Sequence, residues 1–73
     1  MIALLVEEGI NNIRLAWPNG PWNLVALTPS GDVADSRIFR PKAEHNARKW
    51  MALHYRLGHS IICALPMGGD NGK

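Results

Sequence analysis

Apolar residues recur with a period of two in the middle of the chain. In WNLVALT, Trp22, Leu24 and Ala26 fall on one face of an extended strand. The other face is also apolar, through Val25 and Leu27, so we expect this strand to be central in its sheet. The run DVADSRIF is β-prone as well, and TPSGD between the two runs has the proline and glycine of a tight turn. The pattern predicts a β-hairpin.

The stretch PKAEHNARKWMALHYRLG has the period of a helix instead. Pro41 fits the first helical position, and Gly58 fits the left-handed position just after the last turn. At about 100° per residue, one narrow arc of the helix collects Ala43, Ala47, Trp50, His54 and Leu57. We therefore predict a helix over residues 41–57 that packs on the sheet through Trp50. His54 then points toward the sheet, bonded to a backbone carbonyl or to a strand side chain.

INNIRLAW suits a strand that ends before PNGP, whereas the first nine residues allow two interpretations. A helical stripe is formed by Ile2, Leu5, Val6, Ile10, Ile13 and Trp17. Gly9 would weaken that helix by about 1 kcal/mol relative to alanine. In the other interpretation, IALLVEE is an edge or core strand that turns at Glu8-Gly9. We favour the strand, because β-branched and small residues suit it and the neighbouring segments are strands.

These elements together predict the fold class. HSIICAL after the helix suits a short buried strand. We expect an α+β protein, with a small antiparallel sheet of three to four strands and one helix packed on one face. The predicted order is strand, strand, strand, helix, strand. A chain of 73 residues forms one domain, which we place at residues 1–65, with a flexible tail at 66–73.

Composition narrows the class of protein. The chain is 47% hydrophobic and 19% charged, which is too apolar for a disordered protein. Cys63 is the only cysteine, so no intrachain disulfide forms, which favours a reducing cytoplasm. The apolar runs IALLV and IICAL have five residues each, far fewer than the ~20 that span a bilayer. No basic segment follows Met1, so we expect no signal peptide. We expect a cytoplasmic monomer that makes no membrane contact.

No catalytic or metal signature is present. General acid–base catalysis needs carboxylates or histidines that converge in a pocket, and the acidic residues here fall in turns or at strand ends. His54, His59 and Cys63 have ligand chemistry, but their spacing matches no standard zinc motif. We therefore expect neither an enzyme nor a bound metal or cofactor.

Charge is distributed unevenly although the formal net charge is only +2. Residues 1–36 hold one basic and four acidic residues, a net −3, whereas residues 37–56 hold six basic and one acidic, a net +5. On the helix, this basic surface lies opposite the core stripe. It is either a solvated face or a contact surface for an acidic partner, and tyrosine and arginine often carry interface energy. The predicted partner-binding residues are Arg37, Arg40, Arg48, Lys49, Tyr55 and Arg56.

NNIRLAW, WNLVALTPSGD and the 41–58 segment also carry a resemblance. With them the chain resembles small bacteriophage-encoded regulators that bind host RNA polymerase, of the Xanthomonas-phage inhibitor and antiterminator type. The resemblance implies a non-enzymatic protein of the bacterial cytoplasm that binds RNA polymerase, inhibits sigma-dependent initiation and suppresses termination. The alternative is a single-stranded nucleic-acid-binding module, with the basic helix and nearby aromatics such as Trp17, Trp22 and Tyr55 as its contacts.

Overall fold

The computed structural model describes residues 1–64, which contain two α-helices and a three-stranded antiparallel sheet. The elements in chain order are α1 (Ile2–Ala16), β1 (Trp22–Leu27), β2 (Val33–Phe39), a 3-10 turn (Pro41–Ala43), α2 (Glu44–Arg56) and β3 (Ser60–Ala64). The predicted α+β class is confirmed. The predicted tail, 66–73, lies outside the described residues. Neither helix in the described part is long and apolar enough to cross a membrane.

The sheet has the order β2-β1-β3, so β1 is central, as its two apolar faces predict. In the hairpin, Trp22 lies opposite Phe39, and the register shifts between Ala26 and Leu27. Gly31 has a φ of 94°, a left-handed conformation that glycine adopts without steric cost. The turn predicted from TPSGD is therefore confirmed, and it joins adjacent antiparallel strands.

The helix predicted over residues 41–57 consists of a 3-10 turn, Pro41–Ala43, and the α-helix α2, Glu44–Arg56. The 3-10 turn starts at Pro41 and leads directly into the helix. After the last helical turn, Gly58 has a φ of 87°. The N–H of Gly58 then donates to the carbonyl of Tyr55, and the N–H of His59 donates to the carbonyl of His54. This pair of bonds is a Schellman cap, which satisfies carbonyls that the helix end would leave without a partner.

The N-terminal segment is a helix, so the strands predicted for IALLVEE and INNIRLAW are wrong. Val6, Ile10 and Ile13 recur at helical spacing and are buried in the core. Gly9 does not break this helix. A Cβ at that position would lie 2.6 Å from the terminal methyl of Met51, so the missing side chain lets α1 approach α2 closely. The element order is therefore helix, strand, strand, helix, strand.

The core lies between the helices and one face of the sheet. Trp22, Leu24 and Ala26 supply that face and are fully buried. Trp50, on α2, is buried as predicted and is 8% exposed. The opposite face of the sheet carries no helix, and there Ile38 remains 68% exposed. The fold therefore has two layers, the sheet and the pair of helices. Its two broad surfaces are the outer face of the sheet and the outer face of the helices.

Candidate functional site: the groove between the two helices

A groove of about 510 Å³ lies between α1 and α2, and every residue of the described range 1–64 that lines it is helical. We call it the α1–α2 groove. Its floor is apolar, with Ile2, Ala3 and Val6 from α1 and Ala52 from α2. Its basic rim comes from α2 and consists of His45, Lys49 and Arg56. The groove therefore combines an apolar surface with positive charge at its edge.

The helical repeat places the rim residues together. Positions 45, 49 and 56 of α2 follow a spacing of four and seven, which keeps them on one side of the helix. The core residues of α2, including Trp50 and His54, lie on the other side. Lys49 and Arg56 are exposed, and neither takes part in an ion pair among residues 1–64. Both charges can therefore meet an external partner.

Arg48 is held by carboxylates of its own chain. Its Nε and Nη2 atoms each lie 2.8 Å from an oxygen of Glu44, which confirms the i,i+4 pair that their spacing indicates. Its other guanidinium nitrogen donates to Glu7 of α1. Arg14 of α1 also binds Glu44, with Nη2 at 2.8 Å from Oε2. These two bridges connect α1 to α2 across the surface, so the charge of Arg48 is largely neutralised within the protein.

The same ion pairs shift the pKa values of their members. The hydrogen bond from Arg48 lowers the pKa of Glu7, and the hydrogen bond from Arg14 lowers the pKa of Glu44. The pKa of Arg48 is raised in turn, chiefly by its hydrogen bond to Glu7. In each case the ion pair favours the charged form of the side chain. The resulting network of ion pairs holds the two helices together at neutral pH. We call it the clasp, and its members are Glu7, Arg14, Glu44 and Arg48.

Tyr55 faces a different groove. A space of about 370 Å³ separates α1 from β3, and among its lining residues are Ile13, Met51, Tyr55 and Cys63. Burial raises the pKa of the Tyr55 hydroxyl and also that of the Cys63 thiol. Tyr55 thus lies on a different surface from Lys49 and Arg56, and the described residues that line it include no charged side chain.

Arg37 and Arg40 line neither of these two grooves. Arg37 is exposed on β2, an edge strand of the sheet, where it lies opposite Leu24 of β1. Arg40 is exposed just after the end of β2. The six predicted partner-binding residues therefore fall into three groups. Only Arg48, Lys49 and Arg56 share the α1–α2 groove.

His54 is buried against the sheet, as predicted, and is 7% exposed. Its Nδ1 lies 3.0 Å from Nδ1 of His59, and its Nε2 lies 3.5 Å from an oxygen of Asp35 on β2. The indole N–H of Trp50 donates to the same Asp35 oxygen at 3.1 Å and lowers the pKa of that carboxyl. Within residues 1–64, no group of three or more His, Cys, Asp or Glu side chains is placed to hold a metal ion.

The nucleic-acid interpretation requires Trp17 and Trp22 at the surface. Both are engaged in packing instead. Trp22 is fully buried, and its indole N–H donates to the carbonyl of Trp17 at 2.8 Å. Trp17 itself is half-buried and packs against the core. A base can stack only on an exposed ring face, so the ring of Trp22 is closed to this contact.

Sequence reasoning missed the half of the groove that α1 supplies, because this segment was assigned to strands. The available signal was the four-residue spacing of Ile2 and Val6, which places both side chains on one side of a helix.

In comparisons with protein-family models, curated proteins and solved structures, no match to the chain was found.

Proposed function

We propose that this chain is a small non-enzymatic regulator that binds host RNA polymerase through the basic rim of the α1–α2 groove. The observation that carries the proposal is the pair Lys49 and Arg56, two turns apart on α2 and free of ion pairs among residues 1–64. Between them lies the apolar floor at Ala52. An apolar centre with a charged edge is the usual composition of a protein interface.

RNA polymerase is the proposed partner because of the resemblance to phage regulators that act on it. In this proposal the protein inhibits sigma-dependent initiation and suppresses termination in the bacterial cytoplasm. Tight docking requires an acidic surface on the polymerase, since both unpaired charges of the rim are positive.

Charge and aromatic packing favour a protein partner over single-stranded nucleic acid. The formal net charge is only +2, so few phosphate contacts are available to release counterions. Exposed Glu8 lies on α1 and would repel a phosphate backbone. Trp22 is buried and offers no face for stacking.

The proposal is tested by binding the protein to purified bacterial RNA polymerase, as core enzyme and as sigma holoenzyme. The double reversal Lys49→Glu and Arg56→Glu should weaken binding at least tenfold. Both residues are exposed and lie away from the core, so the far-UV circular dichroism spectrum should not change. The matched variant, Arg37→Glu with Arg40→Glu, makes the same change in net charge on and next to β2. We expect it to weaken binding less than threefold.

Transcription from a sigma-dependent promoter with a downstream terminator supplies the functional readout. The parent protein should reduce initiation and increase readthrough, and the Lys49/Arg56 reversal should lose both effects. The proposed partner is wrong if the parent protein does not bind purified polymerase. Binding that disappears after nuclease treatment would indicate the nucleic-acid alternative instead.

A further inference from the structure

We infer that the α1–α2 groove receives an amphipathic helix of the partner, with carboxylates seven residues apart that meet Lys49 and Arg56. This inference rests on the proposed function, because it describes how the partner would occupy the same groove. The inference adds that the partner segment has an apolar face. The charges of Lys49 and Arg56 alone do not require such a face.

The floor of the groove favours apolar side chains. Ile2 and Val6 of α1 lie one helical turn apart and face Ala52 of α2. Ala3 and Ala52 are small, so a partner side chain can approach the helix backbones there. A volume of about 510 Å³ is within the ~300–1,000 Å³ range of binding clefts. The floor can therefore accept several aliphatic side chains in a row.

The walls of the groove favour a helix over an extended peptide. Strand addition gains its affinity from main-chain hydrogen bonds to a free sheet edge, and the described residues that line this groove are all helical. Inside a helix the backbone N–H and C=O groups already bind each other. An extended segment in the groove would lose water from its backbone without new partners, whereas a helix satisfies its own backbone groups. Helix-in-groove docking is thus the mode that fits these walls.

The rim sets the charge pattern of the partner. Lys49 and Arg56 are seven residues apart, which corresponds to about 10.5 Å along a helix axis. A partner helix aligned with α2 would place carboxylates at positions i and i+7 opposite these two cations. Glu7 also lines the groove, but Arg48 binds its carboxylate, so the only acidic side chain of the lining carries a compensating charge.

A designed peptide of about 18 residues tests the inference, because helices of this length can form outside a protein. The probe is an acetylated, amidated peptide labelled with fluorescein. It carries leucines along one helical face and glutamates at i and i+7 beside that face. Its control is a scrambled peptide of the same composition, which keeps the charge and loses the apolar face. By fluorescence anisotropy, the parent protein should bind the amphipathic peptide at least tenfold more tightly than the scrambled one.

Neutral substitutions in the floor separate shape from charge. Ala3→Gln with Ala52→Gln places polar amides in the groove, and should weaken binding of the amphipathic peptide at least tenfold. Ala16→Gln is the matched control, since Ala16 is exposed on α1 and does not line this groove. It should bind as the parent does. Ala3 is exposed, so the single variant Ala3→Gln leaves the core intact and should still weaken binding about threefold.

The outcomes distinguish this inference from the proposed function. Equal affinity for the two peptides, or unchanged binding by the floor variants, would overturn the helix-in-groove inference. If the floor variants bind polymerase normally while the Lys49/Arg56 reversal does not, the proposed function stands and the inference is wrong. If the amphipathic peptide binds as expected and polymerase does not, the groove inference stands and the proposed partner is wrong.

Discussion

Nδ1 of His54 and Nδ1 of His59 lie 3.0 Å apart, so one of these nitrogens must donate a hydrogen bond to the other. Nε2 of His54 faces the carboxylate of Asp35, which can only accept when ionised. The hydrogen-bond network is satisfied when His54 carries its hydrogen on Nε2 and accepts at Nδ1 from His59. Both ring nitrogens of His54 are then engaged inside the protein.

We therefore expect zinc to leave the thermal midpoint unchanged. An ion that binds the folded state alone must raise the midpoint, and within residues 1–64 no three His, Cys, Asp or Glu side chains are placed to hold a metal ion together. The measurement is a thermal melt with and without equimolar zinc at neutral pH. A clear rise that disappears in His59→Ala would contradict the prediction.

Replacing Trp50 with alanine should lower the free energy of unfolding by about 3–5 kcal/mol. The indole is buried, packs against Phe39 with ring centroids 5.9 Å apart, and contacts His54 at 4.5 Å. Urea unfolding measures the loss. A small domain has modest total stability, so this variant can unfold completely.

Trp50→Phe provides the milder comparison. It keeps an aromatic ring but removes the hydrogen bond to Asp35, so it should cost less than the alanine variant and still unfold cooperatively. If Trp50→Ala lowered the free energy of unfolding by less than about 1 kcal/mol, Trp50 would not join α2 to β2 as described.

Gly9→Ala should stabilise the protein by less than the ~1 kcal/mol by which alanine favours helices over glycine. The added methyl would lie 2.6 Å from the terminal methyl of Met51, so this buried but flexible side chain would have to shift. The cost of this shift offsets part of the gain in helix propensity. The check is a double-mutant cycle by urea unfolding with Met51→Leu, which lacks that methyl. Independent effects of the two substitutions would contradict the close approach of α1 and α2.

Acid should weaken the clasp between the helices. The pKa values of Glu7 and Glu44 are lowered in the folded protein, so the unfolded chain takes up protons first as the pH falls. Their contribution to stability is present at neutral pH and is lost as the pH falls below the ordinary glutamate pKa and through the lowered one. The urea midpoint should fall over this range. Glu7→Gln with Glu44→Gln should flatten the dependence, and the remainder reports Asp35, whose pKa is also lowered. An unchanged pH profile in this variant would contradict the clasp.

The hairpin and α2 could be predicted because their signals are local. Pro41, Gly58 and the Trp50 stripe all belong to one continuous segment, and the TPSGD turn lies between the strands that it joins. The N-terminal helix was missed because Gly9 has a low helix propensity in any local assessment. Its benefit comes from Met51, which is distant in sequence and adjacent in space.

In the candidate site, too, features that depend on neighbouring residues could be predicted, and contacts between distant residues could not. The basic side of α2 follows from helical spacing, and the pair Glu44–Arg48 is local as well. The bond from Arg48 to Glu7 joins residues 41 positions apart, so no local pattern could show that Arg48 is committed within the fold. For the same reason the groove floor could not be predicted, because half of it belongs to α1.

The β1–β2 turn has a practical consequence for measurements on this protein. Gly31 is exposed, and a side chain built there would meet nothing within 4 Å. The turn is also held by its own bonds, from the N–H of Asp32 to the Thr28 hydroxyl and from the N–H of Thr28 to the Asp32 carbonyl. Insertion of a short tagged loop between Ser30 and Gly31 would leave both grooves unobstructed. The turn is therefore a place to immobilise the molecule or to attach a fluorophore.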